Sequence, residues 1–292
     1  MYAMLLQDAM IERVRDLCQE DEQLVAAMMY GSFTRGEGDA YSDIEFVLFF
    51  RDDALLDVDQ EAWVGRIAPV ELYFTNEFGN GTAIFSNLIR VEFHFEKASD
   101  MQQVEGWATT DTFPNQASTL LLDRTGRLGE HLRPLIGLPP KRDSPEQVRF
   151  LCDSFTNWIL FGRTVLMRGE LARSLEILSS VQRYLLWMSR LEEQATQHWP
   201  TPARALEQEI SAAAYARYTA CTSPLDRAAL TEAYAAAWAW GRELMSTLAG
   251  HYNIALPKGL HARLDERLLE GKGTKKCPGE VSEALGTRTK QT

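Results

Sequence analysis

The main change in the spacing of apolar residues along this chain lies close to Pro139-Pro140, and it limits the folds open to the chain. Before the two prolines, short apolar runs alternate with turns, which is typical of strands. After them, apolar residues recur every three or four positions, which is typical of helices. We therefore predict an α+β fold. It consists of a small mixed-sheet domain over residues 1–138, a helical bundle over residues 139–270 and a disordered tail over residues 271–292.

The part before the prolines contains five short apolar runs that predict strands. Asn80-Gly81, between the third and fourth runs, is a hairpin turn signal. In the fifth run Arg90, Glu92 and His94 alternate with apolar residues, so the three polar side chains share one face. The predicted strands are Leu24–Tyr30, Ile44–Phe50, Val70–Phe74, Thr82–Phe85 and Ile89–Phe95.

Helices are predicted on both sides of the prolines. Ser144-Pro145 is typical of a helix start, with Ser as the N-cap and Gln147 placed to close a capping box. Before the first strand, an amphipathic pattern directs Leu6, Met10, Val14 and Leu17 inward. The later predicted helices run from about Glu170 to Leu191, from Ala203 to Ala220, and from Ser223-Pro224 to Gly250.

Composition excludes several classes of protein. A net charge of −11 argues against a nucleic-acid surface, which requires clustered Lys and Arg. No apolar run approaches the ~20 residues of a membrane span, and the acidic N-terminus does not resemble a secretion signal, so we expect a cytoplasmic protein. The cysteines, which lack the C-x-x-C spacing of zinc and redox motifs, are predicted to be buried free thiols. They are Cys18, Cys152, Cys221 and Cys277.

Two carboxylates mark the start of the second predicted strand. Asp43 and Glu45 are two residues apart and therefore project from the same face. Their mutual repulsion raises the pKa of one of them unless a cation lies between them. Mg²⁺ suits this position because it prefers carboxylate oxygens together with substrate phosphates. The pattern therefore predicts a metal site.

Gly31-Ser32, which follows the first predicted strand, supplies a complementary feature. Glycine allows a tight turn close to a ligand, and the amides and the hydroxyl that follow can donate to phosphate oxygens. Glu92, on the polar face of a later strand, can join Asp43 and Glu45 in one cleft. Three carboxylates beside a phosphate-binding turn suit attack on the α-phosphate of a nucleotide, with metal ions bridging the attacking and leaving oxygens.

The stretch G-S-x-x-x-G-x-x-x-x-x-S-D-I-E resembles the signature of the nucleotidyltransferase superfamily related to DNA polymerase β. Within that superfamily the chain resembles the lincosamide nucleotidyltransferases, up to about Arg267. Most of the superfamily has Asp where this chain has Glu45, which alters the expected metal coordination. The stretches that carry the closer resemblance are M-Y-G-S-F-T-R-G-E-G-D-A-Y-S-D-I-E-F, R-I-A-P-V-E-L-Y-F-T-N-E-F-G, N-L-I-R-V-E-F-H-F, Q-R-Y-L-L-W-M and A-W-A-W-G-R-E-L-M.

The resemblance implies a mixed-sheet nucleotidyltransferase domain followed by a helical bundle, and AMP transfer from ATP, with Mg²⁺, to a hydroxyl of lincomycin or clindamycin. A homodimer is a further expectation from the family. The implied metal ligands are Asp43, Glu45 and Glu92, with Glu92 acting either as a ligand or as a general base. Gly31 and Ser32, with Arg168 or Arg173 from the bundle, are expected to bind the nucleotide. His94 is predicted to contact the acceptor or to have a structural role.

Two other functions fit parts of the sequence. An aminoglycoside adenylyltransferase would use the same chemistry, and the acidic chain would also suit a polycationic acceptor. A non-catalytic binding module on a degenerate nucleotidyltransferase fold is disfavoured by the retention of all three carboxylates, Asp43, Glu45 and Glu92.

Overall fold

A computed structural model describes residues 5–109, 112–137 and 139–269. The chain divides into two compact units, Met1–Lys141 and Arg142–Thr292, which we call the sheet unit and the helical unit. The domain boundaries predicted from the sequence, 1–138 and 139–270, stay a prediction. The predicted tail, residues 271–292, lies outside the described residues.

The sheet unit is built on a six-stranded mixed sheet in the order β3-β4-β5-β2-β1-β6. Strands β2 and β5 are parallel to each other, and the other neighbouring strands are antiparallel. The strands are β1 (Leu24–Tyr30), β2 (Ile44–Phe50), β3 (Val70–Thr75), β4 (Gly81–Phe85), β5 (Arg90–Lys97) and β6 (Leu120–Asp123). The five predicted strands are all present, and β6 is an additional one.

Apolar cores lie on both faces of the sheet. Helices α1 (Leu6–Glu20) and α2 (Gln60–Gly65) supply residues to one core, which includes Val14, Phe46 and Phe93. The other core combines Val47 and Phe49 with residues from a 3-10 segment (Ala98–Thr109) and from α3 (Arg127–Leu132). Burial on both faces explains why β2 is almost continuously apolar. Glu45 is the exception in that strand.

Two local predictions in the sheet unit are wrong. The predicted hairpin between β3 and β4 is present and Asn80 lies in its turn, but Gly81 does not, because it already pairs within β4. The chain reverses instead over residues 76–80, where Gly79 has φ +86 and the Asn76 amide donates to the Asn80 carbonyl oxygen. Leu6 is exposed and does not join the inward stripe of α1.

The helical unit contains, among the described residues, α4 (Pro145–Met167), α5 (Leu171–Glu192), α6 (Leu206–Glu209), α7 (Ala212–Ala220), α8 (Arg227–Tyr252) and α9 (Lys258–Leu268). The Ser144 hydroxyl accepts from the Gln147 amide, as predicted for the N-cap. A single core joins these helices around Phe155, Leu185 and Trp238. A mixed-sheet unit followed by a helical bundle confirms the predicted α+β fold class.

Three helix boundaries differ from the predictions. The helix predicted over residues 203–220 is broken at Ile210-Ser211, where Ser211 caps α7 through its side chain. Asp226 rather than Ser223 caps α8. That helix continues past Gly250 to Asn253, which ends it in the left-handed conformation.

Two predictions made from composition concern the described residues. Cys18, Cys152 and Cys221 are buried free thiols, as predicted, whereas Cys277 lies outside the described residues. Within the described part of the chain, every helix is too short or too polar to cross a bilayer.

Candidate active site

Strand register brings the three predicted carboxylates to one edge of the sheet. Glu45 pairs with Glu92 across the parallel strands β2 and β5. The antiparallel pairing of β1 with β2 places Tyr30, the last residue of β1, opposite Glu45. Asp43 directly precedes β2 and follows the same two-residue period as Glu45. We call Asp43, Glu45 and Glu92 the carboxylate cluster.

Arg90 bridges two members of the carboxylate cluster. Its Nη1 atom donates to Asp43 Oδ2 and its Nη2 atom to Glu92 Oε2, both at 2.7 Å. The sequence placed Arg90 on the polar face of its strand without assigning it a role. Its position two residues before Glu92 was the signal that could have identified it.

Glu92 is the most firmly held carboxylate of the cluster. Its Oε1 atom accepts from Asn80 Nδ2 at 3.0 Å and lies 3.4 Å from His94 Nε2. Burial raises the pKa of Glu92, but the hydrogen bonds from Arg90 and Asn80 outweigh it and hold the pKa below its ordinary value. Glu92 is therefore a charged hydrogen-bond acceptor at neutral pH.

His94, the predicted acceptor contact, is mostly buried beside Glu92. Its Nε2 atom lies 2.8 Å from the Tyr30 hydroxyl, and the edge of the Tyr30 ring packs against Trp107. Burial lowers the pKa of His94, and the charge of Glu92 opposes this shift. The contact of His94 with an acceptor stays a prediction. The sequence did not identify Tyr30 and Asn80, because it presented one as a strand residue and the other as a turn residue.

Glu45 is the unsatisfied member of the cluster. Its Oε2 atom is buried and has no hydrogen-bond partner among the described residues. Burial, followed by the charges of Asp43 and Glu92, raises the pKa of Glu45 to about 8. A buried acceptor without a donor costs about 1–3 kcal/mol. This cost indicates that the site is built to receive another positively charged or hydrogen-bonding group.

Gly31 is required beside Glu45 for two reasons. Its φ of +82 lies in the left-handed region that favours glycine, and a Cβ atom at this position would overlap the Glu45 carboxylate. The Thr34 hydroxyl closes the turn by donating to the Gly31 carbonyl oxygen at 2.8 Å. The backbone can therefore approach the carboxylate cluster closely at this turn.

Ser32 is buried directly after Gly31 and precedes a single 3-10 turn, Phe33–Arg35. Amides at the start of such a turn lack partners within it and can donate to an anion. One turn adds little dipole, so any attraction for phosphate would come from these local N–H groups. Phosphate binding by Gly31 and Ser32 stays a prediction.

The carboxylate cluster fits a hard divalent cation in its chemistry. All its ligands are carboxylate oxygens, the type that Mg²⁺ prefers, and Glu45 Oε2 has no donor. No group of three or more acidic, His or Cys side chains in the described ranges forms a ready-made metal site. Because Arg90 bridges Asp43 and Glu92, the carboxylates would have to rearrange to bind a metal together. Metal binding by these three residues stays a prediction.

The two arginines predicted to bind the nucleotide lie in the helical unit. Arg168 ends α4, and its Nη1 atom is 4.0 Å from Glu170 Oε1. Arg173 Nη1 donates to Glu170 Oε2 at 3.1 Å, and its guanidinium lies over the Phe161 ring. Both side chains are exposed for more than half of their area. Their role toward a nucleotide stays a prediction.

Comparison with known proteins identifies the helical unit. Residues 144–267 match the family described as "Lincosamide nucleotidyltransferase-like, C-terminal domain". No curated protein matches the chain significantly. Among solved structures, an aminoglycoside 6-adenyltransferase from Bacillus subtilis is similar, with 12% identity and a TM-score of 0.42, over 89% of this chain and 97% of that one.

Two further solved structures are similar to this chain. A nucleotidyltransferase-like protein from Exiguobacterium sibiricum has 13% identity and a TM-score of 0.40, over 84% of this chain and 78% of that one. A CCA-adding enzyme in complex with CTP has 11% identity and a TM-score of 0.29, over 90% of this chain and 73% of that one.

The family match confirms the class of protein predicted from the sequence. The chain is an enzyme of the nucleotidyltransferase class, of the antibiotic nucleotidyltransferase type. Within the helical unit, residues 144–267 match the lincosamide nucleotidyltransferase-like C-terminal domain.

Proposed function

We propose that this enzyme transfers AMP from ATP to a hydroxyl group of a lincosamide antibiotic, such as lincomycin or clindamycin, and so inactivates it. The observation that carries the chemistry is the carboxylate cluster, whose Glu45 oxygen is buried without a partner beside the Gly31 turn. The acceptor class is supported by the family match of residues 144–267.

The reaction requires one bond to form and one to break. The acceptor hydroxyl oxygen attacks the α-phosphorus, and the bond from that phosphorus to the bridging oxygen of the β-phosphate breaks. Pyrophosphate leaves with the electron pair of this bond. As the general base, Glu92 would accept the hydroxyl proton, and the hydrogen bonds from Arg90 and Asn80 support its charged form.

The other predicted residues have binding roles in this proposal. Gly31 and Ser32 donate backbone and side-chain groups to phosphate oxygens. Arg168 or Arg173 offsets the charge of the triphosphate, and His94 contacts the acceptor.

Nucleotidyltransferases in general use a divalent metal ion with the nucleoside triphosphate, and we propose Mg²⁺ here. Asp43 and Glu45 would hold it, together with Glu92 if Glu92 is a ligand rather than the general base. When bound, it would neutralise charge on the phosphate oxygens and on the three carboxylates. A cytoplasmic location would supply both ATP and Mg²⁺ to the enzyme, and a homodimer is the expected assembly.

The proposal is tested by mass spectrometry of acceptors incubated with the purified protein, ATP and Mg²⁺. Lincomycin, clindamycin, streptomycin and kanamycin are assayed side by side. We expect AMP to be added to the two lincosamides alone. AMP on an aminoglycoside would overturn the acceptor while keeping the chemistry. No adduct on any of the four drugs would contradict the proposed function.

The variant Glu92→Gln tests whether Glu92 is the general base or a metal ligand. It keeps the shape of the side chain and removes its charge. If Glu92 is the general base, the transfer rate falls by about 10²–10⁴ while ATP binding is largely kept. Single-turnover transfer and ATP binding are measured on the same preparation. Loss of metal binding in the variant would assign Glu92 as a ligand instead.

A further inference from the structure

We propose that Arg90 substitutes for the divalent cation when none is bound. Its guanidinium holds Asp43 and Glu92 together in the metal-free enzyme and has to leave them before the carboxylate cluster can bind a metal. Arg90 is thus a positioning residue that competes with the metal. This inference rests on the proposed function, because it takes the cluster to be the metal site.

The geometry of the contact supports substitution rather than an ordinary surface ion pair. The two outer nitrogens of one guanidinium each donate to a different carboxylate at 2.7 Å. The rigid planar fork of Arg suits such two-armed bridging. A single positive charge thereby joins the carboxylate that directly precedes β2 to one on β5.

The substitution is incomplete, which leaves the metal an advantage. Arg90 carries one positive charge and donates to only two of the three carboxylates of the cluster, and Glu45 Oε2 receives no hydrogen bond among the described residues. A divalent ion carries twice the charge and takes several oxygen ligands at once. Binding of the metal therefore satisfies the oxygen that Arg90 leaves without a donor.

Arg90 is also able to leave. The Arg90 and Asp43 side chains are 43% and 45% exposed, so the released guanidinium can be hydrated. An ion pair with the exposure of Arg90 and Asp43 contributes little to stability. Glu92 is much less exposed and keeps the hydrogen bond from Asn80 after Arg90 has moved away.

The chain offers a matched control in Arg66. Its Nη2 atom donates to Glu20 Oε2 at 3.0 Å, and its side chain is 42% exposed. This ion pair lies in the same unit and has nearly the same exposure as that of Arg90. It contacts no member of the carboxylate cluster, so Arg66→Gln removes an equivalent ion pair without changing the proposed metal site.

The inference is tested by Mn²⁺ titration of the full chain after removal of metals with a chelator, in the absence of nucleotide. Free Mn²⁺ is measured by electron paramagnetic resonance for the wild type, Arg90→Gln and Arg66→Gln. We expect Arg90→Gln to bind Mn²⁺ about fivefold more tightly than the wild type, the factor that corresponds to ~1 kcal/mol. Arg66→Gln should bind like the wild type.

A second readout separates competition with the metal from a purely structural role. The melting temperature of each variant is measured with and without Mn²⁺. We expect the metal-induced rise to be larger in Arg90→Gln, because Asp43 and Glu92 repel each other once the guanidinium that bridges them is removed. A structural role alone would lower the melting temperature equally in both conditions.

Two outcomes overturn the inference. Mn²⁺ affinity in Arg90→Gln equal to or weaker than that of the wild type shows that Arg90 does not compete with the metal. Absence of Mn²⁺ binding in the wild type and in Arg90→Gln shows that removing the guanidinium exposes no metal site. These measurements need no turnover. If either outcome is found and the protein still transfers AMP to lincosamides, only the inference is overturned and the proposed function stands. Conversely, tighter Mn²⁺ binding by a protein that modifies none of the four drugs would leave the inference standing and contradict only the proposed function.

Discussion

Arg90 in the sheet unit and Arg190 in the helical unit both pair with carboxylates, and the comparison separates function from structure. Arg190 is fully buried, and its guanidinium donates to Glu209 Oε2 and to the carbonyl oxygens of Ala195, Pro202 and Arg204, at 2.6–2.8 Å. These hydrogen bonds hold the segment that follows α5 against that helix. Every nitrogen of the guanidinium donates to an acceptor, and the acceptors lie at separate points of the segment 195–209.

The carboxylate cluster around Arg90 has the opposite character. Two of its three carboxylates share one half-exposed guanidinium, and Glu45 Oε2 is buried without a donor among the described residues. Buried polar groups in proteins are normally satisfied, so an unsatisfied group requires an explanation. A fully satisfied cluster stabilises the fold, whereas an unsatisfied one is better explained by a ligand that it binds.

The largest expected effect breaks the function of the sheet unit without breaking its fold. Asp43→Ala should lower AMP transfer by at least ~10³-fold, because it removes a charge that the proposed metal requires. Stability should change by less than about 1 kcal/mol, since the Asp43–Arg90 pair is half-exposed. Initial transfer rates and circular dichroism spectra check both parts. Turnover like that of the wild type would refute the metal-site assignment.

The converse change should break the fold of the helical unit. Arg190→Met leaves Glu209 and three carbonyl oxygens without their donor, and the expected loss in the free energy of unfolding is about 3–5 kcal/mol. Urea unfolding measures this loss. Arg217→Met is the control, because the Arg217–Glu243 pair is about half-exposed and should contribute less than about 1 kcal/mol. Equal losses in the two variants would erase the distinction between buried and exposed arginines.

A smaller effect concerns His261, which is buried in the helical unit. Arg242 Nη1 lies 2.8 Å from His261 Nδ1, and Thr156 Oγ1 lies 3.3 Å from its Nε2 atom. Since Arg can only donate, Nδ1 carries no proton and the imidazole is neutral. Burial, followed by the charge of Arg242, lowers the pKa of His261, while Asp265 and Asp153 oppose the shift.

The sign of the pH dependence follows from this lowered pKa. The unfolded chain takes up a proton near pH 6.5 and the folded chain does so only at lower pH, so stability is lost as the pH falls below about 6.5. Urea unfolding at pH 7.5 and pH 5.0 should show a larger loss of stability at pH 5.0 in the wild type than in His261→Gln. His251→Gln, which changes an exposed histidine of α8, should behave like the wild type. Equal acid sensitivity in all three proteins would contradict the assignment.

Much of the fold could be predicted because local patterns determine it. The apolar run of β2 and the Ser144-Pro145 helix start correspond to the observed elements within a residue or two. Strand alternation also predicted that Glu92 and His94 share a face. Predictions failed where tertiary contacts determine the structure. The helix breaks at Ile210-Ser211 because Ser211 contacts Glu193, and no periodic pattern in the sequence indicates this contact.

The candidate site could be predicted only in part for a related reason. Motif spacing identified Gly31, Asp43 and Glu45, which lie close together in sequence. Arg90 and Asn80 reach the cluster through strand register and a turn, which sequence spacing does not reveal. The bridging role of Arg90 required the distances between side chains.

The most direct test of the contrast between the two clusters is the free energy of unfolding of the wild type and Asp43→Ala, with and without Mg²⁺ and a nonhydrolysable ATP analogue. If the carboxylate cluster is built for a metal and a nucleotide, the wild type gains about 2.7 kcal/mol at ligand concentrations near 100 times Kd. Asp43→Ala should gain almost nothing. An equal gain in both proteins, or none in the wild type, would contradict the assignment of the cluster as the nucleotidyltransferase centre.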